Sequence, residues 1–120
     1  MRSRPRSDRG SASIAAAWMM VVLLAATFVA MQLGSAVIAR HRAQAAADMA
    51  ALAAAGFMPA GLAAACDKAA AVARAMGTAV TACTADALDV LVTVDAPVPA
   101  APWGMGSARA VARAGPVASL

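Results

Sequence analysis

Few residues in this chain are suited to chemistry, and their spacing points to structure more than to turnover. The cysteines are Cys66 and Cys83, and the single histidine, His41, lies between Arg40 and Arg42. Six aspartates (Asp8, Asp48, Asp67, Asp86, Asp89 and Asp95) supply every carboxylate side chain, because the chain has no glutamate. General acid–base catalysis needs two groups held together with their pKa values pushed apart. No carboxylates here recur in a pocket-forming pattern. No phosphate-binding glycine loop, zinc spacing or nucleophile–base arrangement is present. Two cysteines and one distant histidine fall short of the ligand set of a structural zinc site. The sequence therefore gives no reason to expect an enzyme, a cofactor or a small-molecule substrate.

Asp48 is the acid that stands out. It sits among alanines, where an exposed helix ordinarily carries more charge. It either pairs with a basic residue of a neighbouring subunit or belongs to a solvated polar face. His41 fits a basic anchor at a membrane edge better than a pH sensor.

The elements that must position these residues follow from composition. The 120 residues suffice for one small domain. Hydrophobic residues make up 62%, aromatic residues 3% and charged residues 13%, with a mean hydropathy of +0.72. Soluble domains are about 45–50% apolar and about 25% charged. The excess calls for a solvent other than water. Much of the rest is alanine, which buries little area, so the part outside a membrane can build only a thin core and needs a staple or a partner.

Residues 14–31 are apolar except for Thr27, and a weaker stretch over 32–39 continues the run. From Ile14 to Ile38 a helix extends about 37 Å, against a hydrocarbon core of about 30 Å. Its large aliphatic and aromatic residues together favour insertion by about 3–6 kcal/mol. Arg2, Arg4, Arg6 and Arg9 precede this segment, while Arg40 and Arg42 follow it. Retention of positive charge in the cytoplasm predicts an inside N-terminus and an extracytoplasmic C-terminal part. Cleavage by signal peptidase after a small-residue exit at Val37–Ala39 is an alternative, although such apolar runs are normally only about 7–15 residues long. The net charge of +4 and pI near 10.5 come mainly from that leader. No basic stripe with stacking aromatics follows it, so no nucleic-acid partner is expected.

Beyond the membrane segment, residues 40–55 continue as helix, and Gly56, Pro59 and Gly61 mark a break. Gln44, Asp48 and Leu52 recur every four residues and share a face. Residues 63–76 form a second helix that stops at Gly77. A weak strand over 79–84 and a better one over 88–95 follow, with Leu88, Val90, Val92 and Val94 on one face and 85–87 as the turn. Pro97, Pro99 and Pro102 read as an extended linker with Gly104 and Gly106. Residues 107–114 read either as a third strand, with Ala108, Ala110, Ala112 and Ala114 inward, or as a helix. The fold class is α+β: a long N-terminal transmembrane helix continuing into a small domain with a second helix and a short antiparallel sheet. Its expected parts are a basic cytoplasmic leader (1–10), a transmembrane helix (11–39), a helix extension (40–55) and a small extracytoplasmic domain (56–120).

Two cysteines outside the reducing cytoplasm favour one disulfide, Cys66 with Cys83. Two buried unpaired thiols are the alternative. Strand parity is awkward for Cys83, which alternates with Thr81 while Val80 and Ala82 form the more apolar face; a bulge or a strand-end position resolves it.

The segment Asp8-Arg9-Gly10-Ser11-Ala12-Ser13 and the run from Ala39 to Ala55 resemble TadE-like proteins. More narrowly, they resemble the actinobacterial group encoded near a helicase and secretion genes. The pattern Arg-x-Gln-x-x-x-Asp-x-Ala-Ala-Leu-Ala, here Arg42, Gln44, Asp48 and Leu52 with the alanines of 50–53, is shared by TadE and TadG pilus-assembly proteins. The resemblance extends through Cys66, Cys83 and the 88–94 strand to the end of the chain. It implies a minor pilin or pseudopilin of a Tad/Flp, type IV-like pilus or related secretion machine, with other pilus or secretion-system proteins as partners. It also implies that Gly10–Ser11 is the junction cut by a prepilin peptidase. Pilins and many TadE proteins carry glutamate at the fifth position after that cut, where it pairs with a neighbour's free amine. Here that position is Ala15.

Overall fold

The computed structural model describes residues 6–98 and 106–117, and only the backbone of residues 6–9. The fold is α+β. Helix α1 (Arg6–Phe57) leads through a short 3-10 turn (Met58–Ala60) to helix α2 (Leu62–Ala75). Strands β1 (Ala79–Asp86), β2 (Asp89–Pro97) and β3 (Ser107–Ala114) follow. The chain divides into two compact units, Met1–Leu33 and Gly34–Leu120.

In the first unit, the described side chains of α1 are exposed and apolar nearly all round, the pattern of a helix that needs a non-aqueous environment. In the second unit, α1 is two-faced. Ala39, Ala43, Ala46, Ala47, Ala50, Ala51 and Ala54 are buried at helical spacing, while Gln44, Asp48, Met49 and Leu52 are exposed. Helix α2 buries Ala65, Ala69 and Ala73, one residue per turn. Its end is a Schellman arrangement: Gly77, at φ +72°, donates to the Arg74 carbonyl, and the Thr78 amide donates to the Ala73 carbonyl. The buried Thr78 hydroxyl also donates to that carbonyl, at 2.9 Å. Helix α1 runs past Gly56, a tolerable cost of about 1 kcal/mol. It stops at Phe57, because Pro59 has no amide hydrogen with which to continue the α-helical bonding, and the chain tightens into the 3-10 turn. Gly61, at φ +106°, turns the chain into α2.

The three strands form an antiparallel meander with β2 in the centre. Val90, Val92, Val94 and Ala96 alternate inward and are fully buried. The core cluster holds these three valines among twelve alanines. The expectation that Leu88 joins the valine face is corrected. Asp86 pairs with Asp89, so Ala87 and Leu88 form a two-residue turn, and Leu88 is 71% exposed. The turn also lies later than the expected 85–87. Ala87 adopts φ +55°, which two-residue hairpins require to match strand twist. Alanine there gives none of the usual glycine or asparagine signal. Ala87→Gly relieves the left-handed conformation and should stabilise the fold by about 0.5–1 kcal/mol after the unfolded-state entropy is counted. A small rise in melting temperature of the detergent-solubilised chain is the readout.

A register shift between Val80 and Ala82 resolves the parity of Cys83. Val80 pairs with Val94 and Cys83 with Val92, so both face the core across the bulge. Residues 107–114 are a strand, not a helix, and Ala110 and Ala112 are buried beside β2. Of the expected proline linker, Pro97 ends β2. The Val98 amide donates to the Gly106 carbonyl, closing the base of the connection. Pro99, Pro102 and Gly104 lie outside the described residues.

Candidate functional site

The features that could act on a partner lie along α1, and its amino-acid order explains why. In the first unit Ile14, Val22, Leu24, Phe28 and Leu33 are all more than half exposed. The Thr27 hydroxyl donates to the Leu23 carbonyl at 2.9 Å, so the polar atom in the middle of this stretch is satisfied within the helix, as lipid requires. Near the N-terminus, α1 is the one helix among the described residues long and apolar enough to cross a membrane, with a mean hydropathy of 2.4 over its best window. These properties are those of a single-pass membrane protein. Gly10 and Ser11 lie inside α1 in helical conformation and are exposed. Arg2 and Arg4 of the basic leader lie outside the described residues.

In the second unit, the residues of the Arg-x-Gln-x-x-x-Asp motif separate by role. Ala50 and Ala51 are core, whereas Arg42, Gln44, Asp48 and Leu52 are exposed. The Gln44 side-chain amide donates to Asp48 Oδ1 at 3.0 Å, a one-turn contact that orients the carboxylate. Arg40, His41 and Arg42 meet no carboxylate among the described residues.

Cys66 on α2 and Cys83 on β1 are joined by a disulfide, with Cα atoms 5.9 Å apart. The bond ties the second helix to an edge strand of the sheet. Lys68 lies over the Phe57 ring at 5.2 Å, within cation–π range.

The solvated sheet face carries an ion-pair set that the spacing of single residues did not announce. Arg109 donates twice to Asp95, from Nε at 2.8 Å and from an Nη at 3.1 Å. Arg113 reaches Asp86 at 2.6 Å and Asp89 at 3.2 Å. The signal lies in the strand register: once β3 pairs antiparallel with β2, Arg109 falls opposite Asp95. Both arginines guard an edge strand against further pairing. Gly115 follows because a Cβ there would run into the Asp89 carboxylate.

The Arg109 guanidinium beside Asp95 holds its carboxyl below the ordinary carboxylate range, by hydrogen bonding first and charge besides, against an opposing effect of burial. Such a group binds fewer protons folded than unfolded at the same pH. Its stabilising contribution is complete above the ordinary carboxylate pKa and is lost as pH falls through the folded value. Asp95→Asn should therefore flatten the acid limb of the stability curve, roughly pH 2–5, while leaving its slope near neutrality unchanged. Chemical denaturation across that range is the check.

A cleft of about 550 Å³ is lined by Ala55, Met58, Pro59, Leu88, Gly115 and Pro116. Ligand sites combine an apolar lining with a few convergent polar side chains, and this lining has none. Among the described residues no three His, Cys, Asp or Glu side chains converge.

Comparison with known proteins singles out α1. The profile of the Flp pilus-assembly TadE/G-like family matches residues 10–56, which is α1 nearly end to end. A curated relative from Mycobacterium tuberculosis (strain ATCC 25618 / H37Rv), named apoptosis inhibitor Rv3654c, is 59% identical over 54 residues. Those residues are 45% of this chain and 64% of the relative, so the match spans less than two thirds of the relative's length. No solved structure matches the chain. Over residues 10–56, along the helix that carries both the apolar stretch and the Gln44–Asp48–Leu52 face, this chain is similar to the Flp pilus-assembly TadE/G-like family.

Proposed function

We propose that this chain is a non-enzymatic, membrane-anchored minor pilin or pseudopilin-like component of a Tad/Flp, type IV-like pilus assembly or secretion system. The observation that carries this reading is the coincidence of the family match with α1, whose first part is exposed apolar surface and whose second part is the exposed motif face. The chain sits in the cell membrane as a single-pass protein, its N-terminus cytoplasmic and its C-terminal domain extracytoplasmic, following the arginine bias around the helix. The disulfide agrees with that side of the membrane. A prepilin peptidase cuts at Gly10–Ser11 and removes the arginine leader. Ala15, in place of the usual glutamate, makes a minor, initiating or tip subunit a better fit than a major filament subunit. The working parts of the chain are a basic leader, residues 1–10, a membrane helix, 11–39, its extension, 40–55, and a small domain, 56–120.

Intact-mass analysis of the membrane-extracted chain, produced alongside the pilus machinery, tests the maturation step. A species starting at Ser11 that co-purifies with pilus-assembly proteins is the expected result. Retention of residues 1–10 removes the peptidase from the scheme. Exclusive recovery with one integral membrane complex lacking pilus proteins replaces the pilin by a scaffold subunit.

A second reading is a factor released by signal peptidase. Two observations favour it: the compact second unit starts at Gly34, and the relative that shares 59% identity over 54 residues is named an apoptosis inhibitor. A mature N-terminus near Arg40 in the culture medium is its signature.

A further inference from the structure

We infer that Arg42, with the small cavity it lines, is a binding site for the headgroup phosphate of an anionic phospholipid, at the point where α1 leaves the membrane. The inference rests on the membrane-anchored reading above and adds a lipid partner to it. Ser35, Ile38, Ala39, Arg42 and Pro97 line a cavity of about 130 Å³, all within the second unit. The four helix positions stand at i, i+3, i+4 and i+7, so they share one face of α1. Ala39 is buried and forms the floor, and Pro97, the last residue of β2, forms a wall. Ile38 is exposed and leaves an apolar flank open to the outside.

Size, depth and charge together select the occupant. Sites for free small molecules run about 300–1,000 Å³. This cavity is too small for one, and suits a single group of a molecule that lies mostly outside it. Ile38 ends the apolar run, and Arg42 follows about 6 Å further along the helix. The polar layer of a bilayer is about 5–8 Å deep on each side of the hydrocarbon, so Arg42 stands at the level of the phosphates while Ile38 meets the acyl chains. Helical side chains also lean toward the N-terminus, which carries the guanidinium back toward Ile38 and Ser35. Arg40, His41 and Arg42 meet no carboxylate among the described residues. The next acid along the helix, Asp48, accepts from Gln44. A guanidinium fits a phosphate through paired charge-assisted hydrogen bonds. Arg40 and Arg42 stand about 100° to either side of His41, so they leave the helix in nearly opposite directions, and of the two only Arg42 lines the cavity.

That asymmetry supplies the test. The full chain is reconstituted in mixed phosphatidylcholine–phosphatidylglycerol vesicles and extracted in mild detergent, and its retained lipids are counted by mass spectrometry. Phosphatidylglycerol should be enriched on the native chain. Arg42→Gln should lower that enrichment about fivefold, whereas Arg40→Gln, which removes the same charge from the other side of the helix, should leave it nearly unchanged. Arg42 is exposed, so its replacement opens no core contact. Excess inorganic phosphate should not displace the lipid, because it lacks the acyl chain that lies along Ile38. Absence of enrichment on the native chain, equal losses in both variants, or displacement by inorganic phosphate overturns the lipid site; the second outcome would mean a diffuse basic collar and the third a site for a free anion. Alkaline carbonate washing of the same vesicles separates the two levels of the argument. If the chain stays in the membrane and any of these results appears, the lipid site alone fails; if the chain washes off, the membrane-anchored reading fails with it.

Discussion

Replacing both cysteines by serine should lower the stability of the extramembrane unit by about 3 kcal/mol. Closing a loop of about 17 residues removes that much conformational freedom from the unfolded chain in the loop-entropy account. The consequence is large because little else holds this unit together. Its largest fully buried side chains are Val90, Val92 and Val94, and the rest of the core is alanine. Each buried methylene contributes about 0.8 kcal/mol, and alanine has only a methyl to offer. The bond also joins the two parts whose relative placement is least constrained by volume: a helix that packs through Ala65, Ala69 and Ala73, and an edge strand with a bulge. For a unit of this size, 3 kcal/mol corresponds to a fall in melting temperature of about 12–24 °C. Circular dichroism melting of the full chain in detergent, oxidised against Cys66→Ser/Cys83→Ser, measures it. A fall of under about 4 °C would show that alanine packing fixes the helix on the sheet without the bond.

The parts legible in the sequence were those encoded by period. The long apolar run, the second helix with its Gly77 stop, and the alternation of Val90, Val92 and Val94 each depend on local spacing, and each forms as that spacing dictates. Residues 107–114 were ambiguous because alternating alanine satisfies both a strand and a helix. Only pairing with β2 decides between them, and that is a nonlocal interaction. Leu88 lies off the valine face for a related reason. Its side chain continues the valine alternation, but the hairpin register is set by the turn, and Ala87 adopts its positive φ without the residue type that announces one. The ion pairs of Arg109 and Arg113 depend on that register and so were invisible before it. On the candidate site, the spacing of Gln44, Asp48 and Leu52 gave their common face. Which side of α1 faces the domain required the second helix and the sheet, because alanine on nearly every side leaves no distinct apolar stripe to mark the inward one.

Leu24→Arg should abolish stable membrane insertion of a chain that otherwise folds normally. Leu24 lies near the middle of the apolar stretch and is 65% exposed, so its replacement disturbs no packing within the chain. Its cost is therefore a transfer cost. An arginine at the centre of a membrane helix is unfavourable by about 2.5–3.5 kcal/mol, and the lost leucine adds about 0.5 kcal/mol. The native stretch favours insertion by only about 3–6 kcal/mol in total, so one substitution removes most of the margin. Arg at the helix end behaves differently, because its long side chain reaches the interface: Ile14→Arg should leave the chain membrane-bound. Alkaline carbonate extraction separates the cases. Leu24→Arg should appear largely in the soluble fraction, Ile14→Arg and the native chain in the pellet. The disulfide supplies a readout of side as well as of insertion: an uninserted chain stays with its cysteines in a reducing compartment, so Cys66 and Cys83 should become reactive to a thiol label in Leu24→Arg alone. Equal retention of both variants in the pellet would mean that the apolar face of α1 is held by protein instead of by lipid.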